Sequence, residues 1–217
     1  MLTSASPGFT PRRLAARALA GLLFGIALLL ALPAHATTVV PPSFSDLVSK
    51  ADAIHRGTVT AVDARRVATP DGSGSFIMTY VTVAIERTLK GAAAKELTLE
   101  FVGGTVGEKR MIVKGMPTFA VGDREFFFVQ KNGVQFCPLV AMMHGRYRVL
   151  RDEAAAREFV ARDNRSPLTD TSEVGLPMAE LPASVRAANT ARALTPAAFE
   201  SGITAELDRL EQRANPN

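Results

Sequence analysis

The sequence predicts a mainly β domain of about five to seven strands, with a short helix before the strands and helices after them. Two observations lead to this prediction. Segments in which apolar and polar residues alternate with a period of two recur between residues 53 and 150, and clusters of Gly, Asp, Asn and Ser separate them. Helix-forming patterns lie on either side of this region.

Residues 1–36 have the composition of a signal peptide. A basic segment precedes an uncharged run over residues 18–32, which is shorter than the roughly 20 residues that cross a bilayer. Ala34-His35-Ala36 then places small side chains where a signal peptidase requires them. We predict cleavage between Ala36 and Thr37, export to the periplasm or the extracellular space, and no transmembrane span after cleavage. The alternative is an uncleaved membrane anchor.

The charge of the chain disfavours one class of partner. Of its 25 basic residues, Arg12, Arg13 and Arg17 lie in the leader, which leaves 22 basic against 21 acidic side chains. A near-neutral surface does not attract a phosphate backbone over long distances, so nucleic acid is not a predicted partner. Cys137 is the single cysteine, so no intrachain disulfide forms and the fold depends on its apolar core.

Residues 37–150 are predicted to form the β domain, which begins with a helix and a strand. Ser43 or Ser45 caps the helix, and its apolar face carries Phe44, Leu47, Val48 and Ala51. The first strand follows over residues 53–67, and the glycine-rich segment 69–75 turns the chain back.

The second strand, residues 76–89, suggests how the sheet closes. One face of this strand stays apolar through Ile77, Val81, Val83 and Ile85. The opposite face begins apolar and ends polar. A strand whose water-exposed face changes along its length suggests a coiled sheet that closes into a barrel. Residues 97–101 supply a third strand, and residues 108–123 a strand fragment and an ordered loop.

Residues 124–131 are predicted to be the strand covered on both faces, because consecutive positions are all apolar: Phe126, Phe127, Phe128 and Val129. Asn132-Gly133 is a favoured hairpin turn, so residues 134–140 are expected to pair back as a strand. A last strand is expected at residues 146–150.

Residues 151–217 are predicted to be a helical and linker extension. The alanine-rich segment 152–162 favours a helix, and residues 164–189 have the composition of a loop or mobile linker. Thr195-Pro196 is predicted to start a final helix. The apolar stripe of that helix must dock on the sheet or on a partner, and it consists of Phe199, Ile203, Leu207 and Leu210.

Residue types that catalyse reactions are scarce. After the leader only His55 and His144 are histidines, which excludes a zinc site built from several imidazoles. His55 is expected to be a strand residue that faces water. Cys137 lies in an apolar setting that indicates packing, although a thiol–imidazole pair with His144 is an alternative. Arg146 and Arg148 share a strand face, where they either meet an anionic group or pair with acids. We predict no enzyme activity and no cofactor.

The predicted binding surface combines glycines, which permit close approach, with basic residues. It comprises Phe101, Gly103, Gly104, Lys109, Arg110, Gly115, Met116 and Pro117. The alternative is that these glycines serve turns alone.

The order of several strand and turn motifs resembles that of known proteins. Gly57-Thr58-Val59, Leu89-Lys90-Gly91, Gly103-Gly104, Gly115-Met116-Pro117 and Val121-Gly122-Asp123 occur in this order within residues 43–150. This pattern is similar to exported bacterial proteins that resemble the OB-like barrel of netrin modules and of tissue inhibitors of metalloproteinases. The resemblance implies an OB-like Greek-key barrel with a protein-binding or inhibitory role.

The sequence departs from those inhibitors at its predicted mature N-terminus. In the inhibitors a terminal cysteine chelates the zinc of the target, whereas this chain has Thr37. The predicted function is therefore a secreted or periplasmic, non-catalytic module that binds an exported or envelope protein. Two alternatives are open: an inhibitor of a secreted metalloprotease, and a thiol-dependent enzyme that uses Cys137.

Overall fold

Antiparallel strands dominate the protein, of which the computed structural model describes residues 40–215. The strands are β1 (Ala53–Ala68), β2 (Ser75–Lys90), β3 (Glu96–Val102), β4 (Gly104–Val106), β5 (Lys109–Met111), β6 (Arg124–Val129), β7 (Arg146–Asp152) and β8 (Arg157–Ala161). Six of them form one sheet in the order β3-β2-β1-β6-β7-β8, and β4 and β5 form a separate hairpin. The mainly β prediction is confirmed.

Three α-helices and two 3-10 helices complete the described part. They are α1 (Phe44–Lys50), the 3-10 helices Met142–Gly145 and Thr171–Gly175, α2 (Ala183–Arg192) and α3 (Pro196–Ala214). The caps of α1 and α3 are as predicted, because the hydroxyls of Ser43 and Thr195 accept from the N–H groups of Asp46 and Ala198. Within residues 40–215, no helix is long and apolar enough to cross a membrane.

β6 lies between two hydrophobic cores, as its uninterrupted apolar sequence predicts. Phe126 and Phe128 belong to the first core, with α1 and α3, and both are fully buried. Phe127 and Val129 belong to the second core, on the opposite face of the strand. The protein therefore has a helix-covered face and a second face that is covered by loops.

The predicted stripe of α3 docks on the sheet. Phe199 is fully buried, and its ring centroid lies 5.1 Å from that of Phe126 and 5.1 Å from that of Tyr147. Ile203 is also fully buried, and Leu207 and Leu210 pack partly buried against the same core. The C-terminal helix is thus a structural part of the fold.

The sheet is not a closed barrel, which corrects the prediction of barrel closure. The outer strands β3 and β8 do not pair with each other. Instead, Glu100 N donates to Asn132 Oδ1 and Val102 N to Phe136 O, at 3.1 and 2.9 Å. The outer edge of β3 is therefore covered by the loop that follows β6, so that its backbone groups are satisfied without closure.

The predicted strand over residues 134–140 is wrong for the same reason. The loop divides its backbone hydrogen bonds between two elements, since Phe136 O accepts from β3 whereas Pro138 O accepts from Gln130 N, just beyond β6, at 2.8 Å. Only a single bridge, between Val129 and Leu139, joins the loop to β6 as a strand would.

The predicted helix over residues 152–162 is also wrong. Ala154, Ala155 and Ala156 form an exposed turn, after which Arg157–Ala161 returns as β8 and pairs with β7. Phe159 is buried where β8 packs, and this tertiary burial outweighs the helix propensity of the alanines. Because β7 runs across Leu150, the sheet continues into the segment predicted to be an extension.

Residues 164–189 are not a featureless linker. They contain a 3-10 helix and most of α2, and polar side chains attach them to the sheet. The guanidinium of Arg162 donates to the carbonyls of Val174, Leu176 and Pro177. A buried donor with several carbonyl partners orders a segment whose composition is typical of a loop.

Candidate functional site

The β4–β5 hairpin and the loop that follows it cover one end of the second core and leave a cleft of about 440 Å³ there. Its large apolar lining residues include Val62, Phe101, Met111, Ile112, Met116 and Phe119. Phe101, Met116 and Phe119 also pack in the second core. The cleft is therefore the open mouth of that core.

Most of the predicted binding surface lines this cleft: Phe101, Gly103, Gly104, Arg110, Met116 and Pro117. Two of the predicted residues do not. Lys109 is an exposed residue of β5, and Gly115 lies in the following loop, where an added Cβ would meet Met143 Cε at 3.3 Å. The structure thus brings together six of the eight residues.

The two glycines after β3 allow the hairpin to approach the sheet. Gly103 and Gly104 have φ angles of 109° and 132°, and a Cβ on Gly104 would lie 2.3 Å from Thr79 Oγ1. Thr79 Oγ1 donates to the carbonyl of Gly103 at 2.7 Å, which holds the start of the hairpin on β2. These glycines serve the close packing that shapes the cleft.

Phe119 forms the inner wall of the cleft. Its ring centroid lies 5.0 Å from that of Phe101 and 6.2 Å from that of Phe127. The guanidinium carbon of Arg146 lies 4.3 Å from the same ring centroid, and Arg146 Nη1 donates to the carbonyl of Thr118 at 2.6 Å. A buried arginine therefore holds this wall in position.

Arg146 and Arg148 pair with acids, which decides between the two alternatives that their sequence leaves open. Arg146 and Glu125 are both fully buried and form an ion pair, and Arg146 also lies 3.2 Å from Asp163 Oδ1. Arg148 lies 3.4 Å from Asp123 Oδ2 and 3.3 Å from Glu125 Oε1. This cluster is an internal support of the cleft.

Burial raises the pKa of Glu125 above its usual value, and the neighbouring charge of Arg146 opposes this rise. One of its carboxylate oxygens, Oε2, has no hydrogen-bond partner among the described residues. Arg146 thus provides the main interaction that stabilises the charged form of Glu125.

Positive charge predominates at the rim of the cleft. Between residues 103 and 119, Glu108 is the single acid against three basic residues, Lys109, Arg110 and Lys114. These three are exposed, and none forms an ion pair with any residue from 40 to 215. The rim is therefore suited to an anionic ligand.

Cys137 and His55 are both buried side chains. Cys137 is buried in the second core, and burial raises its pKa to about 11. His55 is buried on β1, contrary to the expectation that it faces water, with its Nδ1 3.0 Å from Thr88 Oγ1. In the part of the chain that is described, no three His, Cys, Asp or Glu side chains are grouped to hold a metal ion.

We expect Cys137 to react slowly with iodoacetamide at pH 8 in the native protein and rapidly after unfolding in urea. Burial limits access of the reagent, and a pKa of about 11 leaves little thiolate at that pH. Mass spectrometry of samples quenched over time measures the labelling. Equal rates in the native and unfolded protein would favour a reactive thiol instead.

Sequence patterns alone did not identify part of the cleft. Val62, Ala64 and Thr79 come from the paired strands β1 and β2, in which Ala64 lies opposite Thr79, whereas Phe119 comes from the loop after the hairpin. The predicted cleavage site between Ala36 and Thr37 lies outside the described residues.

No protein-family model and no curated protein sequence matches this chain.

Proposed function

We propose that the protein is an exported, non-catalytic binding module whose cleft receives an apolar side chain of an exported or envelope protein. The observation that supports this proposal most is the open apolar mouth of the second core, where Ile112 stays 72% exposed. Large exposed apolar surface next to an open pocket is typical of a protein contact site.

The size and composition of the cleft fit an anchor side chain. Its volume of about 440 Å³ lies within the usual range of ligand pockets. Its aromatic and methionine side chains provide apolar contact, and methionine adapts to partners of different shape. A side chain that fills such a pocket usually contributes much of the binding energy of an interface.

Strand order supports the resemblance to OB-like domains. The adjacent strands β6-β1-β2-β3 have the order of a Greek key, in which a fourth strand returns beside the first. OB folds are partly open Greek-key barrels, and ligand sites often lie in the mouths of barrels. An OB-like classification of this sheet, and the protein-binding role that it implies, are part of the proposal.

The proposal predicts that Ile112→Asp weakens binding of the partner. The substitution places a charge in the apolar cleft, whereas its exposed position leaves the fold intact. The wild-type protein, immobilised on beads, is incubated with native envelope extract, and captured proteins are identified by mass spectrometry. The partner so identified is then purified and titrated, and we expect its affinity for Ile112→Asp to be about tenfold weaker or worse.

Val134→Asp is the matched control, because Val134 is 81% exposed and does not line the cleft. We expect this variant to bind like the wild type. If both variants bind the purified partner with equal affinity, the cleft is not its contact site.

A further inference from the structure

The edges of the main sheet differ in whether other segments of the chain cover them. Asn132 and Phe136 cover the edge of β3, and the backbone of Leu168 and Leu194 covers the edge of β8 through hydrogen bonds with Val160 of 2.9 and 2.8 Å. No segment within residues 40–215 covers the far half of β1 in this way. β6 pairs with β1 only as far as Thr58, and Gly122 and Asp123 bond to Val59.

The outward groups of this half of β1 can be identified from the register. Gly103 N donates to Ile77 O at 2.7 Å, so odd-numbered residues of β2 direct their backbone groups toward β3. Even-numbered residues of β2 face β1, where they lie opposite Ala61, Asp63, Arg65 and Val67. The intervening Val62, Ala64 and Arg66 therefore direct their N–H and C=O groups to the open edge.

These outward groups lie beside the cleft. Val62 and Ala64 line it, so their side chains point to the cleft face of β1, and Arg66 is on the same face two residues further along. Within residues 40–215 no hydrogen bond meets their outward N–H and C=O groups. A strand added here would direct every second side chain to the cleft face.

The charge beside this edge selects the kind of strand. Arg66 forms no ion pair with a described residue, and it adds to the positive rim of Lys109, Arg110 and Lys114. On the opposite face, Asp63 is paired with Arg65 at 2.5 Å, so it contributes no free negative charge. The surface is complementary to an acidic segment.

We infer that an extended, acidic segment of the partner polypeptide adds to the open edge of β1 as a further strand and places an apolar side chain in the cleft. This inference rests on the proposed function and names the form in which the partner binds. Alternating N–H and C=O groups at strand spacing match another polypeptide backbone, which supplies affinity while the cleft supplies specificity.

The test uses the full mature protein and a fluorescein-labelled octapeptide, Val-Thr-Glu-Thr-Val-Thr-Glu-Thr, whose Val and Glu side chains share one face of a strand. We expect saturable binding in fluorescence anisotropy that weakens with salt. Two further peptides carry N-methyl groups on all Thr amides or on all Val and Glu amides. Because a strand offers only alternate N–H groups to a neighbour, we expect one methylated peptide to bind at least about tenfold more weakly than the other.

Arg66→Pro removes an outward N–H, and Arg66→Gln removes the same charge while it retains the N–H. Proline is tolerated on an edge strand where the N–H faces solvent. We expect Arg66→Pro to weaken peptide binding about tenfold relative to Arg66→Gln. In the wild type, hydrogen exchange followed by NMR should slow on binding at Val62, Ala64 and Arg66 and change little at Asp63 and Arg65.

Several results would overturn the inference: no peptide binding up to about 1 mM, equal binding of the two methylated peptides, or binding to phosphatidylglycerol vesicles in place of the peptide. The proposed function is tested separately. If Ile112→Asp loses the natural partner whereas Arg66→Pro binds it normally, the strand-addition inference fails and the cleft function stands. If Ile112→Asp binds that partner normally, the proposed function itself fails.

Discussion

Arg146→Ala is expected to lower the free energy of unfolding by about 3–5 kcal/mol, the range found when one partner of a buried ion pair is removed. The substitution leaves the fully buried Glu125 with Arg148 as its nearest cation, at 3.3 Å. It also removes the donor to the carbonyl of Thr118 and the cation above the ring of Phe119. Urea unfolding followed by circular dichroism measures the loss.

Arg151→Ala is the control for this prediction. Arg151 lies on the same strand, but its side chain is 55% exposed and pairs with the exposed Glu153. Its loss should cost less than about 1 kcal/mol. A comparable destabilisation by the two substitutions would show that the buried cluster has no special role.

The effect of Arg146→Ala should also depend on pH. Without the arginine, the pKa of Glu125 rises further, because the charge that opposes desolvation is gone. A carboxyl whose pKa is higher in the folded state binds more protons there, so the stability of the variant increases as pH falls toward the unfolded pKa. The difference between wild type and variant should therefore narrow between pH 7 and about pH 5.

Phe199→Ala is expected to cost about 3–5 kcal/mol, as usual for a large buried aromatic residue. The ring of Phe199 lies in contact with four other rings, at centroid distances of 5.1 to 6.2 Å, namely those of Phe44, Phe126, Phe128 and Tyr147. Truncation leaves a cavity between α3 and the sheet. Thermal and urea unfolding of the purified variant measure the cost.

Phe136→Ala makes the same chemical change at a site that is 52% exposed. We expect its effect to be within about 0.5 kcal/mol, as is usual for surface substitutions. If Phe199→Ala were as mild as Phe136→Ala, α3 would contribute little to the fold, and its apolar stripe would be free to serve a partner.

Local sequence predicted the elements whose residue types suit the environment that they have in the folded protein. β6 was predictable because four consecutive apolar residues require cover on both faces, and α3 because Thr195 and Pro196 are favoured at the start of a helix. The turn of Ala154, Ala155 and Ala156 was not predictable in this way. There, pairing of Arg157–Ala161 with β7 overrides local helix propensity.

The cleft was predictable only in part, for a comparable reason. Glycines next to basic and apolar residues indicated the hairpin side of the site, where Arg110 and Met116 are close in sequence. The sheet side comes from Val62, Ala64 and Thr79, which carry no local signal of a site. Contacts between residues far apart in the chain depend on strand register, which the hydrophobic pattern does not specify at a polar edge.

The position of β6 has a consequence for dissecting the molecule. Alternate side chains of this six-residue strand pack into the two opposite cores, so a substitution in the helix-covered core also affects the core beside the cleft through the backbone of β6. A fragment that ends at Leu150 would retain every residue around the cleft. Phe126 and Phe128, however, would lose their hydrophobic packing against Phe199 and Ile203. We therefore expect that the cleft cannot be excised as a minimal peptide and that transplanting it requires the C-terminal helix as well.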